Sequence, residues 1–144
     1  MESWLSRLEA LYDNYTDTVQ ELERNLKPGE GLFGLHSSLK DSPCHERFAE
    51  DVKNLLEDFR DTSPASEDCT ALLRYVFTAP EDWCELKTAY WMLIAVQNFG
   101  IDLIDCLNTA DAQELAELFS AYYPRRKRMP VQNRIMKRLQ QRAS

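Results

Sequence analysis

Apolar residues recur along this chain mostly at steps of three and four, the spacing that gathers one face of an α-helix. Trp4, Leu8, Leu11, Tyr15, Val19, Leu22 and Leu26 set out a first helix from about Ser3 to Leu26. At 1.5 Å per residue it would span roughly 35 Å. Such a seam serves either an intermolecular coiled coil or the long edge helix of an intramolecular bundle. Leu5 and Tyr12 widen the stripe, and three heptads are short for a coiled coil, so the bundle is the favoured use.

Four later stretches repeat the pattern. Ser42 as N-cap and Pro43 at the first helical position open a helix whose face is Phe48, Val52, Leu55, Leu56 and Phe59, ending near Asp61. Ser63-Pro64 opens another in the same way, burying Cys69, Leu72, Leu73, Val76 and Phe77. After Gly100, a short segment turns Ile101, Leu103, Ile104 and Leu107 inward and Asp102 and Asp105 outward. Asn108 or Thr109 then caps a helix with Leu115, Leu118, Phe119 and Tyr122 on its face, stopped by Pro124.

The stretch Thr78 to Gly100 departs from this pattern. Thr78 precedes Glu81 at capping-box spacing, Pro80 suits a first turn, and Gly100 suits the left-handed position past a helix end. Between them Ala89 to Val96 reads AYWMLIAV, apolar on every side. A helix with no polar face must be covered all round, so it belongs at the centre of the domain. Its uncharged run, Thr88 to Ile101, is shorter than the roughly 18 apolar residues of a membrane span. The predicted fold is therefore all-α. It is a single-domain bundle of about six or seven helices around a central buried helix at about 81–99.

Length and composition agree. At 144 residues, a single domain buries roughly 70% of its unfolded surface and needs no staple. The opening MESWLSRLE lacks the basic and apolar regions of a secretory signal. Cys44, Cys69, Cys84 and Cys106 are widely separated within helical patterns, which reads as reduced thiols in a cytoplasmic protein.

Motifs for chemistry are thin. Gly29-Glu30-Gly31-Leu32-Phe33-Gly34 matches G-x-G-x-x-G in letters, but no strand precedes it and Glu30 would repel a phosphate. Its loop, 27–41, carries Leu32, Phe33 and Leu35, which either plug the bundle or offer a partner an apolar patch. Cys44, His45 and Glu46 are neighbours on a helix and point about 100° apart, so they cannot converge on one ion. A Cys–His pair joining His36 to Cys69 or Cys106 is possible in space, but no spacing favours it. Asp102 with Asp105, and Glu114 with Glu117, read as solvated edges rather than acid/base pairs. The sequence implies no catalytic residue, no metal and no cofactor.

Charge changes the picture most. Residues 1–123 carry −15 and residues 124–144 carry +8 with no acid, giving the overall −7. The chain divides into an acidic helical bundle, 1–123, and a basic linker and helix, 124–144, expected to pack on the same domain. Arg125, Arg126, Lys127 and Arg128 form an unbroken run between Pro124 and Pro130. In the helix at about 131–142, Val131, Ile135 and Leu139 share a side, with Met136 at its margin and Lys137 beyond. Arg134, Arg138 and Arg142 form the adjoining stripe. The helix can dock its apolar stripe on the body with the arginines facing the body's carboxylates, seat on an acidic partner or anionic membrane, or bind nucleic-acid phosphate. Docking on the body leads, because a bare apolar stripe is a liability. The acidic body argues against a broad nucleic-acid footprint. The sequence reads as a non-enzymatic protein–protein interaction or regulatory module. Its basic segment would contact an acidic surface in a partner or by self-association, and nucleic-acid binding through the same residues is the alternative.

Overall fold

The computed structural model describes residues 3–24, 42–82 and 87–144. It is an all-α bundle, with six α-helices and no strand among the described residues. In chain order these are α1 (Trp4–Arg24), α2 (Pro43–Asp61), α3 (Ser66–Asp82), α4 (Lys87–Ala95), α5 (Thr109–Tyr122) and α6 (Pro130–Ala143). A 3₁₀ segment, Val96–Cys106, joins α4 to α5, and a short 3₁₀ turn, Arg125–Lys127, lies between α5 and α6.

The amphipathic stripes fix how these pack. α1 buries Leu8, Tyr12, Tyr15 and Val19 against α2, which faces it with Phe48, Val52 and Phe59. Tyr15 stacks on Phe48 at 4.2 Å, and Tyr12 meets the same ring edge-on at 5.0 Å. α1 is thus an edge helix of this bundle, held by its apolar seam. α3 packs on the 3₁₀ segment and α5, and α6 lies against α5 and the 3₁₀ segment. Ile135 and Leu139 of α6 are wholly buried and belong to the same core as Leu8 and Phe77.

Several helix ends follow their capping residues. The Ser42 hydroxyl accepts from the Cys44 amide, with Pro43 in the first turn. Asn108 Oδ1 accepts from the Asp111 amide at 2.7 Å and starts α5. Ser63 does not cap α3. It adopts φ 54° in the turn out of α2, and the helix begins at Ser66. The Ser66 hydroxyl donates to Asp111 at 2.6 Å and accepts from the Asn108 amide, joining the starts of α3 and α5.

The central stretch departs from the single helix expected at 81–99. Thr78 caps nothing: its hydroxyl donates to the Arg74 carbonyl one turn back, and α3 continues through Asp82. Val76, Phe77 and Ala79 extend the buried stripe of α3 past the proposed boundary, so packing overrides the cap signal. After α4 the chain tightens into eleven residues of 3₁₀ helix, well beyond the usual three or four. Gly100 lies within that segment rather than at a helix end, and a Cβ there would stand 2.9 Å from Leu73 Cδ2 and 3.1 Å from Phe77 Cε1. The backbone therefore lies directly on α3. Leu93 and Val96 are fully buried, but Trp91 is 44% exposed, so the apolar stretch is not covered on every side.

Candidate functional site

The basic segment starts from a fixed point. Tyr123, just past α5, is 3% exposed, and its ring lies 4.9 Å from Phe119. Its hydroxyl accepts from Gln97 Nε2 at 3.1 Å, and the same amide donates to the Phe77 carbonyl. Gln97 Oε1 in turn accepts from Gln132 Nε2 at 3.3 Å, while Gln132 Oε1 accepts from the Met129 amide at 3.0 Å. Gln97 and Gln132 are almost wholly buried. Sequence reading places glutamines on polar faces, so it misses both. The available signal was weak: Gln132 falls one turn before Ile135 and Met136, on the inward side of α6.

The arginine stripe of α6 faces the 3₁₀ segment. Arg134 Nη2 donates to Asn98 Oδ1 at 3.3 Å. Arg138 grips Asp105 with Nη2 2.7 Å from Oδ2 and Nε 3.2 Å from Oδ1. That hydrogen bond and the carboxylate's charge raise the guanidinium pKa further above its ordinary value. Arg142 Nε donates to the Leu107 carbonyl at 2.6 Å, on one of the last residues before α5. These partners lie 33 to 36 residues back in the chain, beyond the reach of a helical wheel.

The other cations divide. Arg128 folds back, its Nε donating to the Tyr123 carbonyl at 2.8 Å and Nη2 lying 3.4 Å from the Ser120 hydroxyl. The side chains of Arg125, Arg126 and Lys127 are exposed on the 3₁₀ turn and make no hydrogen bond or ion pair with the described residues, while the Lys127 amide donates to the Pro124 carbonyl at 2.8 Å, and Lys137 is exposed on α6. Beside them Met129 is 51% exposed. Within five residues of chain, three exposed cations and an exposed thioether side chain thus form a basic knob. The apolar residues Leu32, Phe33 and Leu35, the glycine motif at 29–34 and His36 lie outside the described residues.

Groups suited to chemistry are occupied or apart. His45 is 3% exposed and shares a 2.7 Å hydrogen bond between its Nδ1 and the Tyr15 hydroxyl, whose pKa burial pushes up. A cleft of about 270 Å³ between α1 and α2 is lined by Tyr15, Cys44, Arg47 and Asp51 among others, and His45 is not one of its lining residues. Burial and the neighbouring Cys106 push the Cys69 thiol up to about 12, which keeps it protonated. Asp102 faces Arg60 at 3.7 Å and Glu114 faces Arg74 at 3.0 Å. Among the described residues no three His, Cys, Asp or Glu side chains form a cluster suited to a metal ion.

The fold and this surface define a small all-α bundle with a cationic knob. Comparison with family models, with curated proteins and with solved structures gave no match. No helix among the described residues is long and apolar enough to cross a membrane.

Proposed function

We propose that this protein is a non-enzymatic interaction or regulatory module that docks on an acidic protein surface through its basic C-terminal segment. The observation that carries this reading is the division of labour among the cations of 124–144. Arg128, Arg134, Arg138 and Arg142 are engaged within the bundle, whereas Arg125, Arg126 and Lys127 are exposed beside Met129 and have no ligand among the described residues. Exposed cations around one exposed apolar side chain suit a protein interface, where the apolar group anchors and the charges steer. The acidic body disfavours the alternative, a nucleic-acid regulator using the same residues, because phosphate would be repelled everywhere else.

The test compares the full chain with R125E/R126E/K127E in affinity capture. These positions are exposed, so the variant keeps the fold, whereas truncation at Tyr123 would strip Ile135 and Leu139 from the core. The expected result is loss of an acidic protein partner with charge reversal. Identical capture by both chains overturns the reading. Capture of nucleic acid by the wild type, lost in the variant and steeply reduced by salt, replaces it with the alternative.

A further inference from the structure

We propose that Cys69 and Cys106 are a paired thiol site that a peroxide oxidises to a disulfide, linking α3 to the end of the 3₁₀ segment. This goes beyond the docking role proposed above and does not depend on it.

Two contacts set the register of these elements. Near the start of α3 the Ser66 hydroxyl accepts from the Asn108 amide at 2.8 Å. Farther along α3, Leu73 Cδ2 lies 2.9 Å from where a Cβ on Gly100 would stand. The two stretches therefore run past each other in opposite directions. Cys69 is three residues after Ser66 and four before Leu73, so it shares their face of the helix. Cys106 falls between Gly100 and Asn108 on the facing strip, and its thiol is a hydrogen-bonding neighbour of the Cys69 thiol. Both are free thiols.

Their surroundings give them different roles. Cys106 is half-buried, so a small oxidant reaches it, whereas Cys69 has no exposed surface. Burial also keeps Cys69 protonated, so it is not the group that meets the peroxide. The Cys106 sulfur attacks the peroxide O–O bond and takes one oxygen, becoming a sulfenic acid, and the peroxide leaves reduced, as water or an alcohol. The Cys69 sulfur then attacks the Cys106 sulfur. The S–S bond forms, the S–O bond breaks, and the hydroxyl departs with the Cys69 proton as water. Each sulfur has lost one electron and the peroxide has gained two.

Other uses of the pair fit less well. Two thiols fall short of a four-ligand zinc site, and no third His, Cys, Asp or Glu among the described residues joins them. Cys44 lies apart, on α2 beside Tyr15. The link would also bear on α6, because Asp105 and Leu107, on either side of Cys106, hold Arg138 and Arg142.

The test exposes the reduced full chain to hydrogen peroxide, blocks remaining thiols with N-ethylmaleimide, and maps the digest by mass spectrometry. The expected product is a peptide pair joined through Cys69 and Cys106, two hydrogens lighter than the separate peptides and released by dithiothreitol. In urea, links to Cys44 and Cys84 should appear as well, since only the fold selects this pair. The oxidised chain should melt roughly 10 °C higher and fall back on reduction, because the bond closes the loop from 69 to 106. In Cys69→Ala the sulfenic acid on Cys106 should persist and be trapped by dimedone. In Cys106→Ala, Cys69 should stay a free thiol.

Recovery of both cysteines as free thiols from the peroxide-treated folded chain overturns the proposal. So does Cys106 carried on to sulfinic acid with Cys69 still free, or a link from either to Cys44 or Cys84 in the folded chain. The wild-type map decides these outcomes even if a variant fails to fold.

Discussion

Arg138 holds Asp105 through both arms of its guanidinium, across 33 residues of sequence, and so fixes the last helix to the 3₁₀ segment from outside. Both side chains are about half exposed, so water and salt screen the pair. Arg138→Ala is expected to lower the melting temperature slightly at low ionic strength and not at all near molar salt. A loss that persists at high salt would show that the contact works through packing of the arginine stem rather than charge.

The buried amide chain is a different kind of link. Gln97→Ala leaves the Phe77 carbonyl and the Gln132 amide short of a partner in a dry interior. The expected cost is on the order of 3 kcal/mol in urea unfolding. The pair Gln97→Leu with Gln132→Leu should cost less than the sum of the single changes, since it removes donor and acceptor together. Strict additivity would mean that the two glutamines act independently.

Gly100 tests how closely the 3₁₀ segment lies on α3. Leu73 and Phe77 are both fully buried, so neither has room to yield to a new methyl group. Gly100→Ala is expected to destabilise by about 1–3 kcal/mol. Combining it with Leu73→Ala should recover part of that loss, and a neutral Gly100→Ala would contradict the contact.

Alkaline pH should weaken the fold. Burial raises the Cys69 thiol from 9.0 to about 12, and it also raises Tyr12 and Tyr15 from their ordinary 10.0. Between those values the folded chain keeps protons that the unfolded chain releases. Stability is therefore whole below pH 9 and declines as pH climbs toward 12. Urea midpoints read at rising pH should begin to fall near pH 9 in the wild type, and nearer pH 10 in Cys69→Ala, where only the tyrosines remain.

What could be read in advance follows from how far each signal reaches along the chain. Ser42-Pro43, Asn108 and Pro124 act on neighbours within a turn, and the helices they bound lie where those residues indicate. The stripe Ile135, Leu139 and Met136 likewise shows its buried side on a helical wheel. Thr78 carries the same local signal as Ser42, yet α3 runs through it. Phe77 and Ala79 are held by contacts made with distant elements. The arginine stripe was visible as a stripe. Its partners Asn98, Asp105 and Leu107 were not, because the 3₁₀ segment is brought beside α6 only by the folded topology. Gln97 and Gln132 escaped notice for a simpler reason: their side chains are polar, and only mutual pairing makes their burial affordable.

On the proposed reading, the amide chain also governs how the knob would meet a partner. Tyr123 on one side and Gln132 on the other are both tied to Gln97, so the intervening turn is a hoop anchored at its two feet. A hoop already set in shape loses little freedom when gripped, which favours tight association from few contacts. Cutting either foot should leave the same charges on a slack strand, where they would hold a partner less firmly.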